Sequence, residues 1–313
     1  MQISVVMTTY NGKAHLLNQL NSLRTQYRQP DEVLIFDDGS DDGTSEIVQQ
    51  FIQQNGLQTW SFHQNFKRKG WKRNFMDGMR QASGDLIFPC DQDDIWHPEK
   101  LAEMEQAMAQ NPQILLLACD YHVVYEPGAL PAKVYAKTRS ERSGLTAQYG
   151  FTTHFFMNPY PGCSYAVRKS FFDAVEPLWF DGAPHDEFLW LMAALQNGAW
   201  FYNRVLMDYI RYADNASGIR YKDISMQQKN LRYIANSLQQ LEYYAQAHPE
   251  TVPAEHLSCV RTAQKWCAKR QVLMSTRNPL RWLAMAPWWG YYNSPKNCLS
   301  DLWLVLFGQF RRT

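Results

Sequence analysis

The sequence predicts an α/β protein: a doubly wound, mostly parallel sheet over residues 1–218, then a helical C-terminal region over residues 219–313. Three observations carry this. Short β-branched apolar runs alternate with helical patterns through the first part of the chain, the grammar of strand–helix–strand units. Those runs end in clusters of Asp, Gly, Ser and Asn, as strand tips do. From about Lys222 the strand patterns stop and long amphipathic periodicity takes over.

The first strand is Ile3-Ser4-Val5-Val6-Met7, followed by Thr8-Thr9-Tyr10-Asn11-Gly12 and a helix patterned on Leu16, Leu20 and Leu23. Val33-Leu34-Ile35-Phe36 repeats that grammar and ends in Asp37-Asp38-Gly39-Ser40; a helix with Ile47, Val48 and Phe51 follows. Trp60 to His63 is a weaker third strand. A basic loop, Lys67 to Arg73, precedes a helix through Asn74 to Met79. Leu86-Ile87-Phe88-Pro89-Cys90 is a short buried strand that runs into Asp91-Gln92-Asp93-Asp94, and Pro98 is expected to open the next helix, patterned on Leu101, Met104 and Met108. Ile114 to Tyr125 reads as a long strand, and Glu126 to Asn158 as an excursion over the functional face. Cys163 to Val167 is a strand feeding a helix from Ser170. His185-Asp186-Glu187 opens an apolar helix that Asn197-Gly198 ends. Ala199 to Tyr212 reads as extended; Met226–Ala247 and Pro253–Ser275 read as helices.

The chain has 313 residues, 45% of them apolar, enough for a large core. A net charge of +1 gives no broad attraction to nucleic acid, which is not expected as a partner. The six cysteines are scattered, without a C-x-x-C pair, so zinc and a disulfide framework are not expected, and a reducing, cytoplasmic setting is. The N-terminus enters a strand at once, without the pattern of a signal peptide.

Asp91-Gln92-Asp93-Asp94 draws the chemistry together. Three carboxylates within four residues repel one another, and they sit at a strand's C-terminal mouth, where ligands bind in open α/β sheets. A divalent cation, Mg²⁺ or Mn²⁺, offsets that repulsion and is commonly shared with substrate phosphates. The plainer reading is a solvated acidic turn that caps a helix.

Four motifs, in order, resemble the nucleotide-sugar-dependent glycosyltransferases of family 2, which have the GT-A fold: Thr8-Thr9-Tyr10-Asn11-Gly12; Asp37-Asp38-Gly39-Ser40 with Asp42 and Thr44; Gly70-x-x-Arg73-Asn74; and Asp91-Gln92-Asp93-Asp94-Ile95-Trp96-His97-Pro98. The resemblance covers Met1 to about Gly218. The wording of the last motif, His185-Asp186 and Asp214-Asn215-Ala216-Ser217-Gly218 look most like the bacterial rhamnosyltransferases of that family. Those enzymes carry an Arg and a His where this chain has Ile210 and Tyr212, with Arg211 adjacent.

The resemblance implies an inverting transferase that uses a dTDP- or UDP-sugar, dTDP-rhamnose first, on an oligosaccharide or lipid-linked acceptor. It implies Asp93 as the direct metal ligand, with Asp91 holding the metal or the ribose. Thr8, Tyr10 and Asp38 would contact the nucleotide, Asp38 accepting the imide N–H of uracil or thymine; Asp37 would be structural. Arg73 would reach phosphate, and Asn74 would bind sugar or ribose, or else tie down its loop. Asp186, with Glu187 as runner-up, would be the general base. His97, His154 and His185 read as structural. Two other readings are a noncatalytic sugar-nucleotide-binding protein and a nucleotidyltransferase; the latter lacks its glycine-rich phosphate loop at Thr8 to Lys13. The aromatic and basic segment Pro279 to Thr313 reads equally as a packed helical cap or as a peripheral contact with the inner membrane leaflet.

Overall fold

A computed structural model describes residues 1–129, 144–156, 158, 160–212, 221–292 and 294–311. The stretch Asp214 to Gly218 and Arg312 lie outside the described residues. The chain divides into two compact units, one of residues 1–149, 158–193 and 198–215, the other of residues 150–157, 194–197 and 216–313.

In the first unit the elements are β1 (Ile3–Thr9), α1 (Leu16–Arg24), β2 (Glu32–Asp37), α2 (Thr44–Gln54), β3 (Trp60–Gln64), α3 (Trp71–Gln81), β4 (Leu86–Cys90), β5 (Ile95–Trp96), α4 (Lys100–Gln110), β6 (Leu116–Tyr125), β7 (Thr146–Gln148), β8 (Tyr165–Arg168), α5 (Lys169–Val175), α6 (His185–Leu195) and β9 (Ala199–Arg211). The sheet order is β3-β2-β1-β4-β8-β6-β9-β5, with β7 also on β9. Strands β3, β2, β1 and β4 are parallel, as are β6 and β9. Strand β8 is antiparallel to both of its neighbours. All residues of β1 and β4 are buried, which explains their unbroken apolar runs: strands covered on both faces need no polar alternation.

Register positions the functional residues. Thr9 lies opposite Asp37 on β2, and Met7 opposite Cys90 on β4. The parallel pairing therefore brings the ends of β1, β2 and β4 to one edge of the sheet, so Tyr10, Asp38 and Asp91 all leave it at the same mouth. One local expectation is corrected here. The acidic run does not lead directly into a helix: Ile95 and Trp96 form a two-residue strand that pairs with Asp208 and Met207, and helix α4 starts at Lys100, with Pro98 in the preceding turn. So short a strand leaves no periodic signature, and its partner lies more than a hundred residues away.

In the second unit, β10 (Tyr221–Asp223) pairs antiparallel with β11 (Gln309–Arg311), and between them lie α7 (Ile224–Ala247), α8 (Ala254–Thr276), α9 (Leu280–Leu283) and α10 (Pro295–Phe307). Asp223 caps α7 by accepting from Met226 N at 2.7 Å. Its buried polar centre is Arg270, which donates to both Asp301 oxygens at 2.7 and 3.0 Å; Tyr292 adds a hydroxyl donor at 2.9 Å.

Candidate active site

The β4 mouth gathers an acidic cluster. Ligand atoms of Asp91, Asp94 and Cys163 lie within 4.8 Å of one another. Asp94 is fully buried; its Oδ1 accepts from Ile210 N at 3.3 Å, whereas Oδ2 is buried with no hydrogen-bond partner. Asp93 turns the other way and accepts the Tyr212 hydroxyl at 2.7 Å; the Tyr212 ring stacks on His15 at 4.4 Å. Tyr212 thus stands where the resemblance led us to expect a histidine, and it joins the acidic run directly.

Crowding and burial move these groups together. Burial, then the charge on Asp93, pushes the Asp91 carboxyl up to about 7; Asp186 adds to the rise and Lys100 opposes it. Burial with the charges of Asp93 and Asp91 holds Asp94 well above the usual carboxylate range. Burial raises Asp93 too, against the Tyr212 hydrogen bond and the charges of His15 and Arg211. Burial likewise lifts the Cys163 thiol, which stays protonated. Two convergent carboxyls, Asp91 and Asp94, the second with an orphaned buried oxygen, form a hard-oxygen donor set that suits Mg²⁺ or Mn²⁺. A protonated thiol does not contribute to such a set. The convergent pair is Asp91 with Asp94; Asp93 accepts from Tyr212 beside them.

A buried cation lies behind the cluster. Lys100 is 0% exposed; its Nζ donates to Cys163 O at 2.5 Å and lies 3.6 Å from the Trp96 ring centroid. This residue was not singled out from the sequence. The available signal was its sign: the first turn favours acids, so a lysine there is out of place.

Asp186 reaches the same mouth through a glycine. A Cβ on Gly162 would lie 2.5 Å from His185 Nε2 and 3.1 Å from Asp186 Cβ, so only glycine lets the start of α6 pack this closely beside Cys163. Burial pushes the Asp186 carboxyl up to about 6, opposed by its bond from Glu187 N at 2.9 Å and by Lys72. His185 stacks on Phe75 at 4.1 Å, and burial drives its pKa down to about 3, so it is neutral.

The tips of β1, β2 and β4 are tied together by side chains. Gln92 donates to Tyr10 O at 3.1 Å and accepts from Tyr10 N at 2.9 Å, packed where a Gly12 side chain would stand. This clip, too, was not anticipated. Thr8 is buried on β1. Asp37 accepts from Thr9, Gly39, Ser40 and Ser45, the structural role expected for it. Asp38 is 2% exposed and accepts from Asn65 Nδ2 (3.1 Å), Lys69 N (2.7 Å) and Gly70 N (2.8 Å). Asn74 is buried and ties down the same loop: it donates to Phe36 O at 2.8 Å and accepts from Asn65 at 2.7 Å. Arg73 pairs with Asp181 and lies over Trp179, whereas Arg68 lies 3.8 Å over the Tyr10 ring.

The profile of "Glycosyl transferase family 2" matches residues 4–171, just over half of the chain. The chain belongs to glycosyl transferase family 2. A dTDP-rhamnosyl transferase, RfbG of Shigella flexneri, is 26% identical over 257 residues, 74% of this chain and 84% of that protein. Two other curated relatives, both uncharacterized glycosyltransferases, are matched over 31% and 49% of their lengths. The fold is similar to Staphylococcus aureus TarS 1-349 in complex with UDP-GlcNAc (TM-score 0.62, 17% identity, 100% of this chain and 93% of that one). It is also similar to the mannosyltransferase PcManGT of Pyrobaculum calidifontis in complex with GDP-Man and Mn²⁺ (TM-score 0.51, 14% identity, 97% and 85%). The protein is thus a family 2 transferase with the GT-A fold and a helical C-terminal region. No described helix is long and apolar enough to cross a membrane.

Proposed function

We propose that the protein is a metal-dependent, inverting glycosyltransferase that moves L-rhamnose from dTDP-rhamnose to a hydroxyl of a growing bacterial surface polysaccharide, lipid-linked during assembly. The observation that carries the reading is the convergence of Asp91 and Asp94 at the β4 mouth, close enough to Asp186 for its charge to raise the Asp91 carboxyl. RfbG, matched over most of its length, supports rhamnose. The likeness to TarS with UDP-GlcNAc keeps a UDP-hexose or UDP-N-acetylhexosamine as the alternative donor.

Asp91 and Asp94 would hold Mg²⁺ or Mn²⁺, with Asp93 placed beside them by Tyr212. Bound there, the cation supplies charge neutralisation for the departing nucleoside diphosphate. Asp38 has two oxygens with about four acceptor directions; three are used, and the fourth suits the imide N–H of thymine or uracil. Thr8 and Tyr10 would line the nucleotide's path. Arg68 over Tyr10 is better placed than Arg73 to meet phosphate, because Arg73 is engaged by Asp181. Asp186 takes the acceptor hydroxyl proton as the new bond from acceptor oxygen to sugar carbon forms and the bond from that carbon to the diphosphate oxygen breaks. One base and a single displacement invert the sugar carbon.

The test is a thermal-shift panel of dTDP-rhamnose, UDP-glucose, UDP-GlcNAc and GDP-mannose, with and without Mn²⁺. Ligands that bind the folded state raise its melting point. A shift with dTDP-rhamnose that requires Mn²⁺ is expected; a shift with GDP-mannose alone would overturn the donor reading. Donor hydrolysis without acceptor would exclude a noncatalytic binding protein.

A further inference from the structure

Helix α10 is apolar on two opposite faces. Cys298, Leu304 and Val305 are buried on one, around Asp301. On the other, Leu299, Trp303, Leu306 and Phe307 are 51–61% exposed. Their spacing of four, three and one residues sets them on a single helix face. A helix that is hydrophobic all round is ordinarily enclosed, so an open apolar face on one is built to meet something apolar. The ends are well made: Ser294 Oγ accepts from Asn297 N at 3.2 Å, Pro295 follows it, and Gly308 closes the helix at φ 80°. Helix α9 is tied alongside, Trp282 Nε1 donating to Cys298 O at 2.9 Å, and it exposes Leu280 and Leu283 at 71% and 59%.

Charge decides the occupant. From Arg277 to the end, the chain carries Arg277, Arg281, Lys296, Arg311 and Arg312 against one acid, Asp301. Asp301 is 0% exposed and bonded to Arg270, Tyr292 and Gln227. Arg277, Arg281 and Lys296 are exposed. The outer surface of this segment therefore presents apolar side chains among positive charges, with no exposed acid among its described residues. A second copy of the same face would bring like charges together. An anionic bilayer surface instead offers hydrocarbon for the apolar residues and phosphate for the basic ones.

We infer that this face of the C-terminal segment docks peripherally on an anionic lipid bilayer, with α10 lying in the headgroup boundary, Leu299, Leu306 and Phe307 inserted, and Arg281 and Lys296 at lipid phosphates. The inference is independent of which sugar is transferred.

The experiment is flotation of the full chain with vesicles of phosphatidylcholine alone, or with about one-third phosphatidylglycerol, at low and high salt. Binding to the anionic vesicles that salt weakens is expected. Leu306→Glu/Phe307→Glu is expected to lower the bound fraction roughly tenfold or more. Arg281→Ala/Lys296→Ala is expected to lower it roughly fivefold per charge removed. Tyr27→Glu, at a 78% exposed position in the other unit, controls for added charge and should bind as wild type. Circular dichroism confirms that each variant is folded. Absence of binding, equal binding to both vesicle types, or binding unchanged in the folded Leu306→Glu/Phe307→Glu variant would each overturn the inference. So would a concentration-dependent dimer that this variant abolishes, since the face would then serve a second copy.

Discussion

Replacing Asp186 by Asn is expected to stabilise the protein while removing turnover. The carboxyl is raised from an ordinary 3.8 to about 6, mainly by burial. That rise corresponds to roughly 3 kcal/mol of unfavourable carboxylate burial at neutral pH. The side chain is partly exposed, so screening reduces the gain available to Asn to about 1–3 kcal/mol. Asn keeps an oxygen for the Glu187 N–H, so no hydrogen bond is lost. For a unit of this size the melting point should rise by roughly 3–8 °C at pH 7. The sign follows from linkage: a carboxyl with a raised folded pKa contributes stability that is fully present below its unfolded value and is lost as pH rises through the folded one. The two melting curves should therefore converge near pH 4 and separate fully above about pH 6. Turnover, followed by release of nucleoside diphosphate, should fall by about 10²–10⁴-fold in the variant. In the wild type it should decline as pH falls through about 6, where the base takes up its proton. Near-normal turnover in Asp186→Asn would refute the base assignment. An unchanged melting point across that pH range would refute the burial argument beneath it.

Lys100→Met removes a buried cation and leaves Cys163 O without its donor. A loss of about 3 kcal/mol in denaturant unfolding at pH 7 is expected, shrinking toward pH 5 as Asp91 takes up its proton; a pH-independent loss would show that Lys100 does not act on the cluster. Gly162→Ala places a methyl against His185 and Asp186 and should cost about 1–3 kcal/mol, with a kcat loss that persists at temperatures where the variant is folded; unaltered kcat would mean that the close approach does not position the base. Mn²⁺ affinity, read by electron paramagnetic resonance of the free ion, should weaken as pH falls through about 7, where Asp91 takes up its proton and the cation must displace it. Asp91→Asn should weaken it at every pH, and binding unaffected by either change would remove Asp91 from the metal site.

The alternation of apolar runs with helical patterns was enough to read the N-terminal sheet, because strands buried on both faces show as unbroken Val, Ile, Leu and Phe. The two long helices of the C-terminal region were as plain, since apolar residues recur at helical spacing along each, although the buried faces also hold polar residues such as Gln227 and Arg270. The acidic run stood out because it crowds three carboxylates at a strand mouth; Asp38 and Asp186 were picked out by the family resemblance, since an acid at a turn or a helix start is common for structural reasons alone. What escaped is mostly contact between remote segments. Gln92 and Cys163 carry no local pattern, and Lys100 gains its meaning only from what surrounds it.

The sequence by itself determined which residues bear charge at the ends of strands and helices, because side-chain type and hydrophobic period are local properties. Only the tertiary structure decided which of those charges meet. It paired Asp93 with Tyr212 and Asp91 with Asp94, and it set Lys100 behind them, because burial and approach distance depend on segments up to about a hundred residues apart in the chain.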